Sequence, residues 1–252
     1  MHPVCFHIGP RPIYWYGVMM ALAFLAGAIH WHLLGRREGR PPGLAGDLLF
    51  WIIVGGIAGA RAAYVIAEFD YYRSVPWWHM LRVDEGGLIY YGGLLGAALA
   101  TVLFARARRM PLLDLADFTI TAVPLGHTLG RVGCFLNGCC FGRPVPPDAG
   151  WWTAGLERYP VQLYEAGLNL AIYLFLLWRY RTRPRSQPGL VLAAYLMCYP
   201  SVRYFMEFLR GDERTQWGAL TVAQAVSLAL FAAGLALFVA VRRHHDAAHR
   251  SA

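Results

Sequence analysis

The chain contains no lysine and little charge of either sign. Of its 252 residues, 15% are charged, and all 23 basic residues are arginine. A soluble globular domain carries about 25% charge, so the composition argues against a water-soluble enzyme built around one core, and against disorder or a fibrous repeat. Cysteine is scarce as well. Cys5, Cys134, Cys139, Cys140 and Cys198 include no C-x-x-C pair and are too scattered for a disulfide framework. There is no internal repeat or inverted half, which counts against a secondary transporter. The N-terminus has no basic stretch leading to a cleavage site, so no removable signal peptide is expected and the first apolar run should stay as a span.

What the chain does have is apolar length: 57% of its residues are hydrophobic, in long runs. Spans of about 20 residues are expected at Ile13–Leu34, Leu48–Phe69, Leu88–Phe104, Leu115–Leu136, Val161–Trp178, Leu190–Phe208 and Leu220–Val241. The expected fold is therefore all-α: a polytopic membrane protein of about seven transmembrane helices, with residues 1–252 forming one integral membrane domain. The net charge of +8 does not point to nucleic acid, because the arginines flank the apolar runs. Arg36, Arg37, Arg40, Arg106, Arg108, Arg109, Arg179, Arg181, Arg183, Arg185, Arg242, Arg243 and Arg250 follow the odd-numbered spans. The opposite side has only Arg11, Arg73, Arg82, Arg143, Arg158, Arg210 and Arg214, interleaved with acids. Positive-inside reasoning places the C-terminus in the cytoplasm and the N-terminus on the periplasmic side. Trp77, Trp78, Trp151 and Trp152 suit an interfacial belt on that outer side.

Ionisable residues within the spans carry the functional signal. They are Arg61, Asp117, His127, Arg131, Glu165, Arg203 and Glu207, and each costs at least ~2.5–3.5 kcal/mol at bilayer depth. Mutual pairing is one explanation, since Arg203 and Glu207 stand at i, i+4. A polar cavity for a charged headgroup is the other. The stretch Gly130-Arg131-Val132-Gly133-Cys134-Phe135-Leu136-Asn137-Gly138-Cys139-Cys140-Phe141-Gly142-Arg143 mixes small residues with two arginines and an amide. Arginine holds phosphate bidentately, and glycine lets backbone N–H groups approach the same oxygens. The stretch reads as an anion site near the outer leaflet. Gly55, Gly56, Gly59, Gly92, Gly93 and Gly96 read first as close helix packing.

At this stretch the sequence resembles the prolipoprotein diacylglyceryl transferase family. The resemblance runs nearly end to end. It includes Trp15-Tyr16-Gly17, Gly59-Ala60-Arg61-Ala62-Ala63-Tyr64, Gly86-Gly87-Leu88-Ile89-Tyr90-Tyr91-Gly92-Gly93-Leu94, Asp117-Phe118 and Pro124. It continues through Pro160-Val161-Gln162-Leu163-Tyr164-Glu165, the run from Tyr199 to Arg210, and Gln224. The resemblance implies a multi-pass enzyme of the bacterial inner membrane. Such an enzyme moves diacylglycerol from phosphatidylglycerol to the lipobox cysteine thiol of a prolipoprotein and releases glycerol phosphate. Its implied partners are phosphatidylglycerol, prolipoprotein signal peptides with a lipobox cysteine, and membrane lipid.

The implied catalytic residues are Arg131, Arg203 and Tyr91. The implied substrate contacts are Arg131, Tyr16, Arg61, Gly92, Gly93, Asn137, Gly138, Gln162, Glu165, Tyr199, Glu207 and Arg210. Arg131 and Arg203 are expected to converge on the leaving phosphate. Position 91 holds a phenol where the family has His, so the thiol's proton acceptor stays open between Tyr91, His127 and the phosphate itself. Arg61 is open between lipid contact and a pair with Asp117. Arg143 and Arg210 are expected to snorkel to lipid phosphates. Cys134 and Cys139 stand where the family has Asn and Glu. Apolar packing, a disulfide from Cys134 to Cys139 or Cys140, and a metal site are the readings of the thiols. No metal or cofactor is required by the implied chemistry, and C-x4-C-C is not a usual zinc spacing. Two competing readings are a family member that binds anionic phospholipid without transfer, and an anion transporter.

Overall fold

The computed structural model describes residues 3–146, 155–183, 187–212 and 216–250. Trp151, Trp152, Arg185 and Arg214 lie outside the described residues. The chain opens with an antiparallel hairpin, β1 (Val4–Ile8) and β2 (Arg11–Tyr14), which pairs Val4 with Tyr14 and Ile8 with Arg11. Helices α1 (Trp15–Arg37), α2 (Leu44–Ala67), one-turn α3 (Phe69–Tyr72), α4 (Tyr90–Ala107), α5 (Leu112–Ile120), α6 (Val123–Asn137), α7 (Val161–Thr182) and α8 (Leu190–Met206) follow. The two-residue strands β3 (Gln216–Trp217) and β4 (Leu220–Thr221) lead into α9 (Val222–Arg250).

Among the described residues, five helices are long and apolar enough to cross a membrane: α1, α2, α4, α7 and α9. The fourth and sixth expected spans differ. Leu115–Leu136 is broken into α5 and α6 at Thr121–Ala122. There the Thr121 hydroxyl turns back to donate to the Phe118 carbonyl at 2.7 Å. Pro124, in the first turn of α6, has no N–H to continue the ladder. Helix α8 has 17 residues and carries Pro200 inside it, short of the ~20 that a hydrocarbon core requires.

The chain divides into two compact units. In the unit from Trp31 to Leu115, α2 and α4 pack through facing glycines. A Cβ on Gly59 would meet the Gly92 carbonyl and lie 2.8 Å from the Gly96 Cα; one on Gly92 would meet the Ala63 Cβ; one on Gly93 would lie 3.3 Å from the Gly56 carbonyl. Gly92 and Gly93, implied at the substrate, are thus in the α2–α4 interface. Gly59→Leu is expected to force the helices apart and destabilise this unit by at least the ~1–3 kcal/mol typical of overpacking. A lowered thermal unfolding midpoint of the purified protein checks it.

Arg61 also has a different place from the one implied. Its side chain is buried, and its guanidinium donates to the carbonyls of Met80 (2.9 Å), Gly86 (2.7 Å), Gly87 (3.2 Å) and His79 (2.7 Å). The Tyr64 and Tyr72 rings flank it. Four carbonyls meet the desolvation cost that an unpaired buried cation would incur. Arg61 organises the 79–87 segment, while the ion-pair partner of Asp117 is Arg183.

The second unit comprises residues up to His30 and those from Ala116 onward. Here α7 packs against both α6 and α8, and α9 packs along α8. Asp117, fully buried, is an interior cap for α8: its carboxylate accepts from the N–H groups of Gly189 (2.8 Å), Val191 (3.1 Å) and Leu192 (2.8 Å) and pairs with Arg183 at 2.5 Å. Helix α8 begins at a glycine with no side-chain cap, so the acid on α5 supplies acceptors that its own sequence lacks. His30 bonds Tyr173 through Nδ1 (3.0 Å) and Thr121 through Nε2 (2.8 Å). Because the Thr121 hydroxyl proton goes to Phe118, Nε2–H is the donor to Thr121. On α6, Gly133 lets α1 approach: a Cβ there would lie 2.9 Å from that of Met19 and 3.5 Å from the Tyr16 Cα.

Candidate active site

Three helices build the site. Helix α6 carries Arg131 and ends at Gly138, whose φ of 73° is the left-handed conformation that closes a helix. Helix α7 places Gln162 and Glu165 in its first two turns. The last turns of α8 carry Tyr199 and Arg203, followed by Glu207 in a 3-10 turn and then Arg210.

The two arginines converge. Arg131 Nε is ion-paired with the Glu165 carboxylate. Arg203 Nη1 lies 3.6 Å from the same carboxylate and 2.5 Å from Glu207, one turn along its own helix. Glu207 also accepts from the Thr221 hydroxyl at 2.8 Å. The acids are sealed, with side chains 3% and 2% exposed, whereas Arg131 and Arg203 are 21% and 18% exposed. The carboxylates are thus the more deeply buried partners of each pair, and the arginine side chains keep some access to the surface. Uncompensated burial of either arginine would cost several kcal/mol, and the acids remove that cost.

Arg210 departs from the snorkelling expectation. Its side chain is 8% exposed and forms a two-point pair with Asp212, at 3.0 and 2.6 Å. It lies within electrostatic range of Arg131 and of Cys140. The backbone holds it inward: Gly142 forms an antiparallel bridge with Arg210, the Arg143 N–H donates to the Leu209 carbonyl (2.8 Å), and the Gly211 N–H donates to the Phe141 carbonyl (3.1 Å). Gly142 also donates to the Tyr159 carbonyl at 3.1 Å, where a Cβ would collide with that residue. Arg143 lies over the Tyr159 ring at 5.8 Å.

A cleft of about 560 Å³ lies at the β2–α1 junction, lined by Pro12, Ile13, Tyr14, Tyr16, Gly17 and Asn137. The Tyr16 hydroxyl is an electrostatic neighbour of Arg131 and of Cys134, Cys139 and Cys140. Tyr199 stacks on Tyr195, with centroids 5.4 Å apart, and packs against His127 at 4.7 Å. Gln162 donates to the Cys139 carbonyl at 2.7 Å, tying α7 to the loop after α6. Tyr16, Asn137, Gly138, Gln162, Glu165, Tyr199, Glu207 and Arg210 thus share one unit with both arginines. Tyr91 and Arg61 belong to the other. Tyr91 lies in the first turn of α4, 40% exposed and edge-on to Tyr90 at 5.7 Å.

Two partners of the site residues, Asp212 and Thr221, have no place in the sequence reading. Asp212 was two residues from Arg210, a short-range acid–base pair that was open to notice. Thr221 had no local signal. The three thiols singled out in the sequence do meet: the sulfurs of Cys134, Cys139 and Cys140 lie within 4.8 Å of one another, with Cys139 and Cys140 at 3.6 Å. Burial pushes the Cys139 thiol up. The Cys140 thiol is pushed down to about 5, first by its hydrogen bond with Cys134, with Cys139, Arg210 and Arg131 adding to this against the opposing effect of burial.

Comparison with known proteins follows the same residues. A family model described as prolipoprotein diacylglyceryl transferase matches residues 3–240. Phosphatidylglycerol–prolipoprotein diacylglyceryl transferase of Bordetella avium is 36% identical over 259 residues, covering 96% of this chain and 95% of its own. The proteins of the same name from Rhodospirillum rubrum and Lactiplantibacillus plantarum are 37% and 32% identical, covering 96% and 99% of this chain and 92% of each relative.

Proposed function

Because this chain belongs to the prolipoprotein diacylglyceryl transferase family, we propose that its arginine pair carries that family's reaction. The diacylglyceryl group of phosphatidylglycerol passes to the lipobox cysteine thiol of a prolipoprotein, as the first step of lipoprotein maturation. The observation that carries this reading is the convergence of Arg131 and Arg203, from separate helices, on one buried carboxylate.

The thiol sulfur attacks the glycerol carbon that bears the phosphate. A C–S bond forms, the C–O bond breaks, and its electron pair leaves on glycerol phosphate. The added negative charge on the departing oxygen is what preorganised donors stabilise best. Arg131 and Arg203 perform this task. Glu165 and Glu207 orient the two guanidiniums as positioning residues. Tyr16 and Asn137 border the cleft that takes the headgroup, Gly138 closes the helix beside it, Gln162 fixes the adjoining loop, and Arg210, paired with Asp212, braces the same end of the site. In the membrane, α5–α6 and α8 complete seven passes with the five longer helices. The arginine distribution supports a periplasmic N-terminus and a cytoplasmic C-terminus, and membership of the family supports the bacterial inner membrane.

The test is transfer of labelled phosphatidylglycerol lipid to a lipobox peptide by the purified protein. Binding of the lipid without thioether product would identify a non-catalytic binder. At position 91, Tyr91→His is expected to keep transfer at or above the wild-type rate, because imidazole accepts a proton near neutral pH. Loss of transfer in a correctly inserted variant would give the phenol an orienting role.

A further inference from the structure

We propose that Cys134, Cys139 and Cys140 bind a divalent thiophilic metal ion of the zinc class, whose open fourth position takes the acceptor cysteine thiol. The proposal rests on the transferase reading above and gives that reading its thiol activation.

Geometry comes first. Three sulfurs held ~2.3 Å from one ion are roughly 3.8–4.0 Å apart. The observed span, 3.6 Å for Cys139 to Cys140 and no more than 4.8 Å for any pair, brackets that separation. The C-x4-C-C spacing is unusual for zinc only while the chain is imagined as a regular knuckle. Here α6 stops at Gly138, and the Gly138 and Cys139 N–H groups both fold back on the Cys134 carbonyl. Cys140 then adopts φ 60°. A non-glycine residue in that region carries strain of ~1–3 kcal/mol, and its effect is to bring the third sulfur beside the other two. Gln162 clamps the turn from outside, through the Cys139 carbonyl.

Coordination number comes next. Among the described residues, no His, Asp or Glu joins the three sulfurs as a ligand. Three protein ligands and an open position is the arrangement of a catalytic zinc site. Soft thiolates select zinc-class ions over calcium or magnesium. Simple packing accounts less well for the cluster, because Cys139 and Cys140 are only half-buried. Three thiolates and a dication leave one net negative charge, and Arg131 and Arg210 lie within electrostatic range of Cys140 to offset it. The cleft lined by Tyr16 and Asn137 provides the approach.

The reaction supplies the purpose. A thiol that coordinates a dication is deprotonated, and its proton passes to water. The bound thiolate sulfur attacks the glycerol carbon, the C–O bond breaks, and glycerol phosphate departs with the electron pair against Arg131. The uncharged thioether is a weaker donor and leaves the ion. The net reaction is thiol plus phosphatidylglycerol giving thioether, glycerol phosphate and one proton. Proton removal then requires no histidine at position 91.

The test uses the full-length protein in detergent micelles, with cobalt(II) as the spectroscopic probe and zinc(II) as competitor. One equivalent of cobalt should bind with a thiolate-to-metal charge-transfer band, and one equivalent of zinc should abolish the band. Cys134→Ser and Cys139→Ser should each weaken binding by at least tenfold, while Cys198→Ser should bind as wild type. A lipobox peptide should shift the band, and the same peptide with serine at the acceptor position should not. Chelated protein should lose at least tenfold in transfer rate, and zinc should restore it.

Absence of the cobalt band in protein whose five thiols all titrate as free, or a disulfide between two of the three cysteines in protein isolated without reductant, overturns the proposal. So does full transfer by metal-free protein, which leaves the transferase reading standing. Metal-loaded protein that binds the lipobox thiol and transfers nothing from phosphatidylglycerol sinks the transferase reading while the site remains.

Discussion

Replacing either Arg131 or Arg203 with alanine is expected to lower diacylglyceryl transfer by about 10²–10³-fold, the usual cost of removing one preorganised donor to developing negative charge. The loss should fall equally on kcat and kcat/KM if the contact is made chiefly in the transition state. Each variant keeps one guanidinium on Glu165, and in Arg203→Ala the Glu207 carboxylate keeps its bond from the Thr221 hydroxyl, so the helices should still assemble. An unchanged elution profile in detergent checks that assembly. Lysine at either position keeps the charge and loses the planar fork, so it should recover only part of the rate. Wild-type transfer in both alanine variants would remove these residues from the chemistry.

Asp117→Ala is expected to have the largest effect on folding, about 3–5 kcal/mol, the range for stripping one partner from a buried ion pair. Arg183, 7% exposed, would face the interior without its carboxylate, and three N–H groups at the start of α8 would lose their acceptor. Because α8 carries Arg203, a frayed start would also loosen the site. Asp117→Asn retains an acceptor oxygen for the amides but not the charge, so it should fall between wild type and alanine. The thermal unfolding midpoint of purified protein gives the ranking. An unchanged midpoint for Asp117→Ala would show that the cap contributes little.

How far the sequence could be read follows from how local each signal was. Helices α1, α2, α4, α7 and α9 were legible because a long apolar run is a property of the segment itself. The break at Thr121–Ala122 was not, since apolar residues continue through it and Pro124 suits a helix start as well as a helix interruption. The Arg203–Glu207 pair followed from i, i+4 spacing. Its extension through Glu165 to Arg131 depends on the register of α6, α7 and α8, which no local pattern encodes. The three thiols stood out in the sequence with packing, disulfide and metal readings side by side, but spacing rules assume a backbone path, and left-handed residues at 138 and 140 change the path. The partners of Arg61 are carbonyls, to which sequence patterns are blind.

The same arginine has a practical corollary. By gripping His79 and Met80 on one side and Gly86 and Gly87 on the other, it turns residues 81–85 into an arc whose two ends are already stapled. Doubling such an arc costs only about 0.6 kcal/mol of closure entropy. An epitope tag between Arg82 and Asp84 therefore lengthens a closed bulge without touching either anchor, and antibody access to it in intact cells would map which face of the membrane that bulge occupies.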